Sequence, residues 1–235
     1  MIDLKSRRVL CFFAHPDDET LAAGATIARL VSKGTQVHVA IPATGVHSRR
    51  NTLTKPKRDL CLKRLQQDCV RALSCLGVPK KNITLGDFKD NEMDTYSRLT
   101  IIHWLEAIIK IIKPDTILTH HHACANIDHR LCHEAAVIAT RPTPRQHITL
   151  LCGEVSGSTG RLKPSQWEPN LYVKITEKEL QKKIMAMNAY SGEARKDPHP
   201  RSQEVLRALA KLRGSESGHD YAEAFMIQQM YAPGG

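Results

Sequence analysis

The order of apolar and polar segments predicts alternating strands and helices. Four short apolar runs have the length and composition of buried strands: residues 8–14, 36–43, 82–86 and 116–119. Three segments between them place apolar side chains at helical spacing: residues 20–33, 59–76 and 96–113. The alternation predicts an α/β fold with a doubly wound, mostly parallel sheet.

The pattern changes after residue 142. Two further strands and two further helices are predicted there: residues 148–155, 171–175, 177–190 and 203–213. The chain has no internal repeat, and nothing in it marks a long linker. We therefore expect one domain over residues 1–235, with the C-terminal elements added to the same domain.

Composition narrows the class of protein. No run of about 18 apolar residues occurs, so no membrane span is expected. The N-terminus has no apolar stretch typical of a signal peptide, and the seven cysteines include no C-x-x-C pair. These features predict a cytoplasmic protein with reduced thiols. The net charge of +10 favours an anionic ligand. Because aromatic residues make up only 5% of the chain, nucleic acid is not an expected partner.

The first predicted strand runs into a dense group of ionisable residues, Ala-His-Pro-Asp-Asp-Glu at positions 14–19. Ligand sites of open α/β sheets lie outside the carboxyl ends of the strands. Three carboxylates beside an imidazole repel one another, and a bound cation would relieve this repulsion. The alternative is a capped turn, in which an aspartate accepts from free N–H groups at a helix start.

A second ionisable group follows the fourth strand. Five of the twelve histidines lie between residues 120 and 133, and Asn-Ile-Asp-His-Arg occupies positions 126–130. If both strands are central, the two groups face each other, and His15, Asp18 and His129 form a ligand set suited to catalytic zinc. Two alternatives stay open for the remaining histidines: residues 120–122 in a solvated loop, and a structural His133.

The two motifs resemble those of the LmbE-like family, which includes the N-acetylglucosaminyl-phosphatidylinositol de-N-acetylases. Further similarity extends through Gly-Glu-Val-Ser at 153–156 and Pro-His-Pro-Arg-Ser at 198–202 to Tyr-Ala-Glu-Ala-Phe at 221–225. The resemblance implies a Rossmann-like fold and one divalent ion per chain, usually Zn²⁺.

The resemblance also implies roles for individual residues. His15, Asp18 and His129 would be the metal ligands and Asp17 the general base. Asp128 would be a further catalytic residue that orients a ligand imidazole.

Asn126 departs from the family pattern, because many members have histidine there. An asparagine can donate to an oxyanion but cannot protonate a leaving amine. Either Asp17 makes both proton transfers, or His121 or His122 takes part. Substrate contacts are predicted for five residues in all: Arg49, Asp90, Asn91, Asn126 and His121.

The sequence thus predicts a zinc-dependent hydrolase that removes acetyl from an N-acetylated amino sugar, with a phosphate-bearing substrate favoured by the charge. A homo-oligomer stays open. The alternatives are an amidase of the same fold acting on another N-acyl conjugate, and a carbohydrate- or nucleic-acid-binding protein with a vestigial metal site.

Overall fold

A seven-stranded sheet forms the centre of the protein in a computed structural model that describes residues 7–43, 46, 54–144, 146–163 and 166–231. In chain order the strands are β1 Arg8–Phe12, β2 Gln36–Ile41, β3 Ile83–Leu85, β4 Thr116–Thr119, β5 Thr149–Gly153, β6 Leu171–Lys174 and β7 Ala222–Gln229. They lie side by side in the order β3-β2-β1-β4-β5-β7-β6. The first five pair in parallel, and β7 is antiparallel to both of its neighbours.

Helices cover both faces of the sheet. They are α1 Asp18–Ser32, α2 Lys55–Cys75, α3 Arg98–Ile112, α4 Ile127–Ala139, α5 Glu177–Ala189 and α6 Gln203–Glu216. The apolar sides of α1, α2 and α5 share one core with the sheet, whereas α3 and α4 share the core on the opposite face. The predicted doubly wound, mostly parallel α/β fold is confirmed.

The order of the strands creates a crevice at one position. From β1 the chain crosses to β2 on one side, and it later enters β4 on the other side of β1. Strands β1 and β4 are parallel neighbours, with Val9 opposite Thr116 and Cys11 opposite Leu118. Because parallel strands end at the same edge, the segments after β1 and β4 meet there. Such a switch point is where open α/β sheets bind ligands.

Two elements differ from the prediction. Strand β7 was not predicted, because its inner half is buried on consecutive positions and its sequence does not alternate. Helix α2 begins at Lys55, four residues earlier than expected, with Pro56 in its first turn, where a missing N–H costs nothing. Within the described residues, no helix combines the length and the apolar composition that a membrane crossing requires.

Candidate metal centre

The turn between β1 and α1 presents the first ionisable group. Asp17 occupies the N-cap position of α1 in the left-handed region, at φ 106°, and its side chain makes no capping hydrogen bond. Its backbone carbonyl accepts from the N–H of Leu21 at 2.8 Å. The capped-turn alternative is therefore wrong for Asp17, because the backbone serves the helix and leaves the carboxylate for another purpose.

Three side chains converge next to this turn. The Oδ2 atom of Asp18 lies 3.2 Å from Nδ1 of His15 and 3.1 Å from Nε2 of His129. The three donor atoms all lie within 4.8 Å of one another. Two imidazoles and one carboxylate make up the donor set of many catalytic zinc sites. The donor chemistry and the spacing therefore fit a divalent ion.

Asp128 contacts the other side of His15. Its Oδ2 atom lies 2.8 Å from Nε2 of His15, which leaves Nδ1 facing Asp18. The same carboxylate accepts from the backbone N–H groups of Asn91, at 2.6 Å, and Met93, at 3.1 Å. Asp128 thus orients a predicted ligand and also ties the acidic loop after β3 to the centre.

A thiol contacts the other side of His129. Sγ of Cys124 lies 3.0 Å from Nδ1 of His129 and 2.9 Å from the Ser158 hydroxyl. Cys124 is fully buried. No sequence pattern predicts a role for Cys124, and its position two residues before Asn126 is the one signal that points to it.

Burial and neighbouring charges shift the pKa values of these groups. Burial lowers the pKa of His15, but the hydrogen bonds to Asp128 and Asp18 outweigh it and raise that pKa to about 10. Burial also lowers the pKa of His129. The charge of Asp18 and its hydrogen bond outweigh burial and raise that pKa to about 9. The two imidazoles in turn hold the pKa of Asp18 well below its ordinary value, against the effect of burial.

Asp17 behaves in the opposite way. Burial raises its pKa well above the ordinary value, and Arg201 opposes that shift. The nearby carboxylates of Asp18, Glu193 and Glu19 add to the increase. Two adjacent aspartates are thus pushed apart in pKa, an arrangement typical of sites that transfer protons.

The centre opens into a cavity of about 420 Å³. Its wall includes the predicted substrate residues Asp90, Asn91 and Asn126 together with Asp17, Arg201 and His199. Asn126 caps α4 by accepting from the N–H of Asp128, and its amide nitrogen donates to Oδ1 of Asn91 at 2.8 Å.

Two further residues, His121 and Arg49, are predicted to contact the substrate. His121 does not line the cavity: it is buried, accepts from the N–H of Ala123 and meets the ring of Trp167 edge-on. His122 is exposed outside the cavity wall. The prediction that His121 contacts substrate is therefore not supported by its position. Arg49 lies outside the described residues.

The family model for GlcNAc-PI de-N-acetylase (PIG-L) matches residues 10–140, more than half of the chain. The chain belongs to this family. The match covers both ionisable motifs and confirms the resemblance inferred from them. Residues 198–202, which contribute Arg201 to the cavity, lie beyond the matched segment.

Curated relatives and solved structures extend the comparison. A diacetylchitobiose deacetylase from Thermococcus kodakarensis is 28% identical over 227 residues, covering 92% of this chain and 81% of that protein. The 1D-myo-inositol 2-acetamido-2-deoxy-alpha-D-glucopyranoside deacetylase of Rhodococcus jostii is 28% identical over 138 residues, which cover 50% of this chain. That match spans 47%, about half, of the relative's length.

The fold is shared over nearly the whole chain. The structure of N,N'-diacetylchitobiose deacetylase from Pyrococcus horikoshii aligns with a TM-score of 0.77 at 21% identity, covering 97% of this chain and 87% of that one. At this identity the likeness shows the architecture alone.

Proposed function

We propose that this protein is a metal-dependent hydrolase that removes the acetyl group from an N-acetylated amino sugar. The observation that carries the proposal is the convergence of His15, Asp18 and His129 at a polar cavity that Asp17 also lines. Its support from relatives is that the Thermococcus and Rhodococcus proteins are named as deacetylases of acetylated amino sugars.

His15, Asp18 and His129 would hold one divalent ion per chain, for which we propose Zn²⁺. Such an ion, when bound, lowers the pKa of a coordinated water and polarises the amide carbonyl. Asp128 holds His15 through Nε2, in the orientation in which Nδ1 faces Asp18. Cys124 plays the same part for His129 from the opposite side.

Asp17 is the proposed general base. Asp17 lines the cavity together with the ligand residues His15, Asp18 and His129, and a raised pKa suits a group that must accept a proton and later release it. Since His121 and His122 do not line the cavity and Asn126 carries no transferable proton, we assign both transfers to Asp17. It takes the proton of the attacking water and delivers it to the departing amine.

The substrate carries an acetamido group and hydroxyls. Asp90 and Asn91 lie on the cavity wall, where they can accept from and donate to sugar hydroxyls. The net charge of +10 favours a substrate that also bears phosphate. We further propose a single domain over residues 1–235, a cytoplasmic location and no nucleic-acid partner, and any oligomer would consist of copies of this chain.

The test is a panel of acetamido sugars, their nucleotides and glycolipids, assayed for acetate release by the zinc-loaded protein. We expect release from at least one member, about one zinc per chain, and loss of both in His129→Ala. His103→Ala, on the exposed side of α3, is the matched control and should keep both.

Two results would contradict the proposal. Salt-sensitive nucleic-acid binding without metal uptake would favour a binding protein with a vestigial site. Release of a longer acyl group with no acetate release would favour an amidase acting on another N-acyl conjugate.

A further inference from the structure

The Asp17 carboxylate has one cationic neighbour among the described residues. Nε of Arg201 lies 2.8 Å from its Oδ2 atom. Asp17 is 1% exposed, and neither of its carboxylate oxygens accepts a well-aligned hydrogen bond from the described part of the chain. The usual local restraint, a bond to the first turn of the helix, is also missing. The orientation of this carboxylate therefore depends on Arg201.

Arg201 is itself held in place by its own segment. Its backbone N–H donates to Nδ1 of His199 at 3.1 Å. The next residue, Ser202, is fully buried and caps α6 by accepting from the N–H of Val205. The backbone at Arg201 is thus fixed directly before a capped helix.

The guanidinium has a second anionic contact. Nη1 of Arg201 lies 3.6 Å from Oε2 of Glu193, a residue that is 7% exposed. The N–H of Glu193 donates to the carbonyl of Tyr190 at 2.9 Å, and the Tyr190 hydroxyl donates to Glu19 at 2.7 Å. Glu19 accepts from the backbone N–H of Asp17.

These contacts form a closed ring that begins and ends at the first motif. The ring joins the start of α1, the turn after α5 and the segment before α6. The start of α1 lies far in sequence from the other two segments, which are close neighbours in the chain, so the ring depends on tertiary packing. Its one link to the Asp17 side chain is the Arg201 guanidinium.

We propose that Arg201 is a positioning residue for the hydrolytic reaction, and that its guanidinium holds the Asp17 carboxylate in the orientation that faces the metal ligands. The inference deepens the proposed deacetylase function and rests on it. It assigns to Arg201 an effect on the chemical step, exerted through Asp17, because a misplaced base loses its alignment with the water it must deprotonate.

Three substitutions test the assignment. Arg201→Met removes the charge while keeping much of the side-chain length. Arg201→Lys keeps the charge but lacks the planar, forked set of N–H donors of the guanidinium. Arg207→Met is the control. Arg207 lies on α6, where it pairs with the exposed Glu177 outside the cavity. We expect Arg201→Met to lower kcat about 100-fold with KM changed less than threefold, and Arg201→Lys to recover part of the loss. Arg207→Met should match the wild type.

Two further measurements separate positioning from a structural role. Added methylguanidinium should restore part of the kcat of Arg201→Gly and should not affect the control. Zinc content should stay at about one per chain in every variant. Glu193→Gln should give a smaller loss of kcat than Arg201→Met, because Arg201 keeps its direct contact with Asp17 in that variant.

A crystal structure of Arg201→Met supplies a readout without activity. We expect the Asp17 carboxylate to leave its wild-type rotamer while the three ligands stay in place. An unchanged carboxylate, or a kcat equal to that of the wild type, would overturn the inference. If the wild type releases no acetate from any substrate, the proposed function fails, and the Asp17 rotamer still decides whether Arg201 positions that side chain.

Discussion

Helix α1 contacts two groups of buried charged side chains that are built in opposite ways. The group at its middle is the ion pair of Lys183 and Glu223, whose Nζ and Oε1 atoms lie 2.6 Å apart. Glu223 also accepts from the backbone N–H groups of Ala25 and Thr26, and Lys183 donates to the carbonyl of Leu21 at 2.8 Å. Both charges therefore have partners inside the protein, and we call Lys183 and Glu223 the closed group.

The group at the N-terminus of α1, which we call the open group, consists of Asp17 and the three predicted ligands His15, Asp18 and His129. Both carboxylate oxygens of Asp17 lack aligned hydrogen bonds within the described residues, and the ligand atoms of His15, Asp18 and His129 face one another. Unsatisfied buried polar groups are costly, so a protein retains them where a ligand or a reaction completes them. The comparison separates a charge pair that is satisfied within the fold from a charged group that we propose performs chemistry.

Glycine at position 24 makes the closed group possible. A Cβ atom there would lie 3.0 Å from Cγ of Lys183, tighter than ordinary packing. The lysine stem lies against the bare backbone of α1 and brings its ammonium to the Leu21 carbonyl. Gly24 thus serves the packing of Lys183 against α1.

The largest expected effect comes from the open group. Asp17→Asn should lower kcat by about 10²- to 10⁴-fold, because the amide cannot accept the proton. Zinc content should stay at one per chain, and the free energy of unfolding should not fall, because a poorly satisfied buried carboxylate is removed. Initial rates, metal analysis and urea denaturation measure the three quantities. Full activity would show that Asp17 is not the base.

A substitution in the closed group should lower the free energy of unfolding. Lys183→Met leaves Glu223 buried without its cation and should cost about 3–5 kcal/mol in the free energy of unfolding. Activity per folded molecule should be unchanged at low temperature. Lys178→Met, an exposed position on the same helix, is the control. Adding Glu223→Gln should recover part of the loss, and equal stability of Lys183→Met and the control would contradict the comparison.

A smaller effect is expected for Asp128, which contacts the predicted ligand His15. Asp128→Asn should weaken zinc binding about 10- to 100-fold, because a neutral amide orients His15 less strongly than a carboxylate. Chelator competition measures the affinity. Asp94→Asn, an exposed residue of the neighbouring loop, should bind zinc as the wild type does. Equal zinc affinity of Asp128→Asn and Asp94→Asn would show that Asp128 does not orient His15.

The smallest effect concerns Cys124. Cys124→Ala should weaken zinc binding about tenfold, at the low end for partners of ligand histidines, and Cys124→Ser should restore part of it. Cys152→Ala is a matched control, because Cys152 is also buried and lies 3.5 Å from Nδ1 of His133, which is not a predicted ligand. The same competition assay distinguishes them. An affinity of Cys124→Ala equal to that of the control would exclude a role for the thiol.

Sequence patterns determined the local elements and the chemical inventory. Periodicity and turn signals are properties of neighbouring residues, so β1, α1, α3 and β4 could be predicted close to their observed bounds. The crowding of ionisable residues at 14–19 and 126–130 could also be predicted, because it is visible in the order of residues alone.

Tertiary structure decided what those residues contact. The pairing of β1 with β4 brings Asp18 to His129, and it depends on the whole sheet rather than on either strand. Buried histidines of one cluster separated in the same way: His129 reaches the centre, whereas His121 turns to Trp167. The ring through Arg201 joins segments almost two hundred residues apart. Hydrogen bonds and ion pairs act over a few ångströms in space, and sequence proximity does not report that distance.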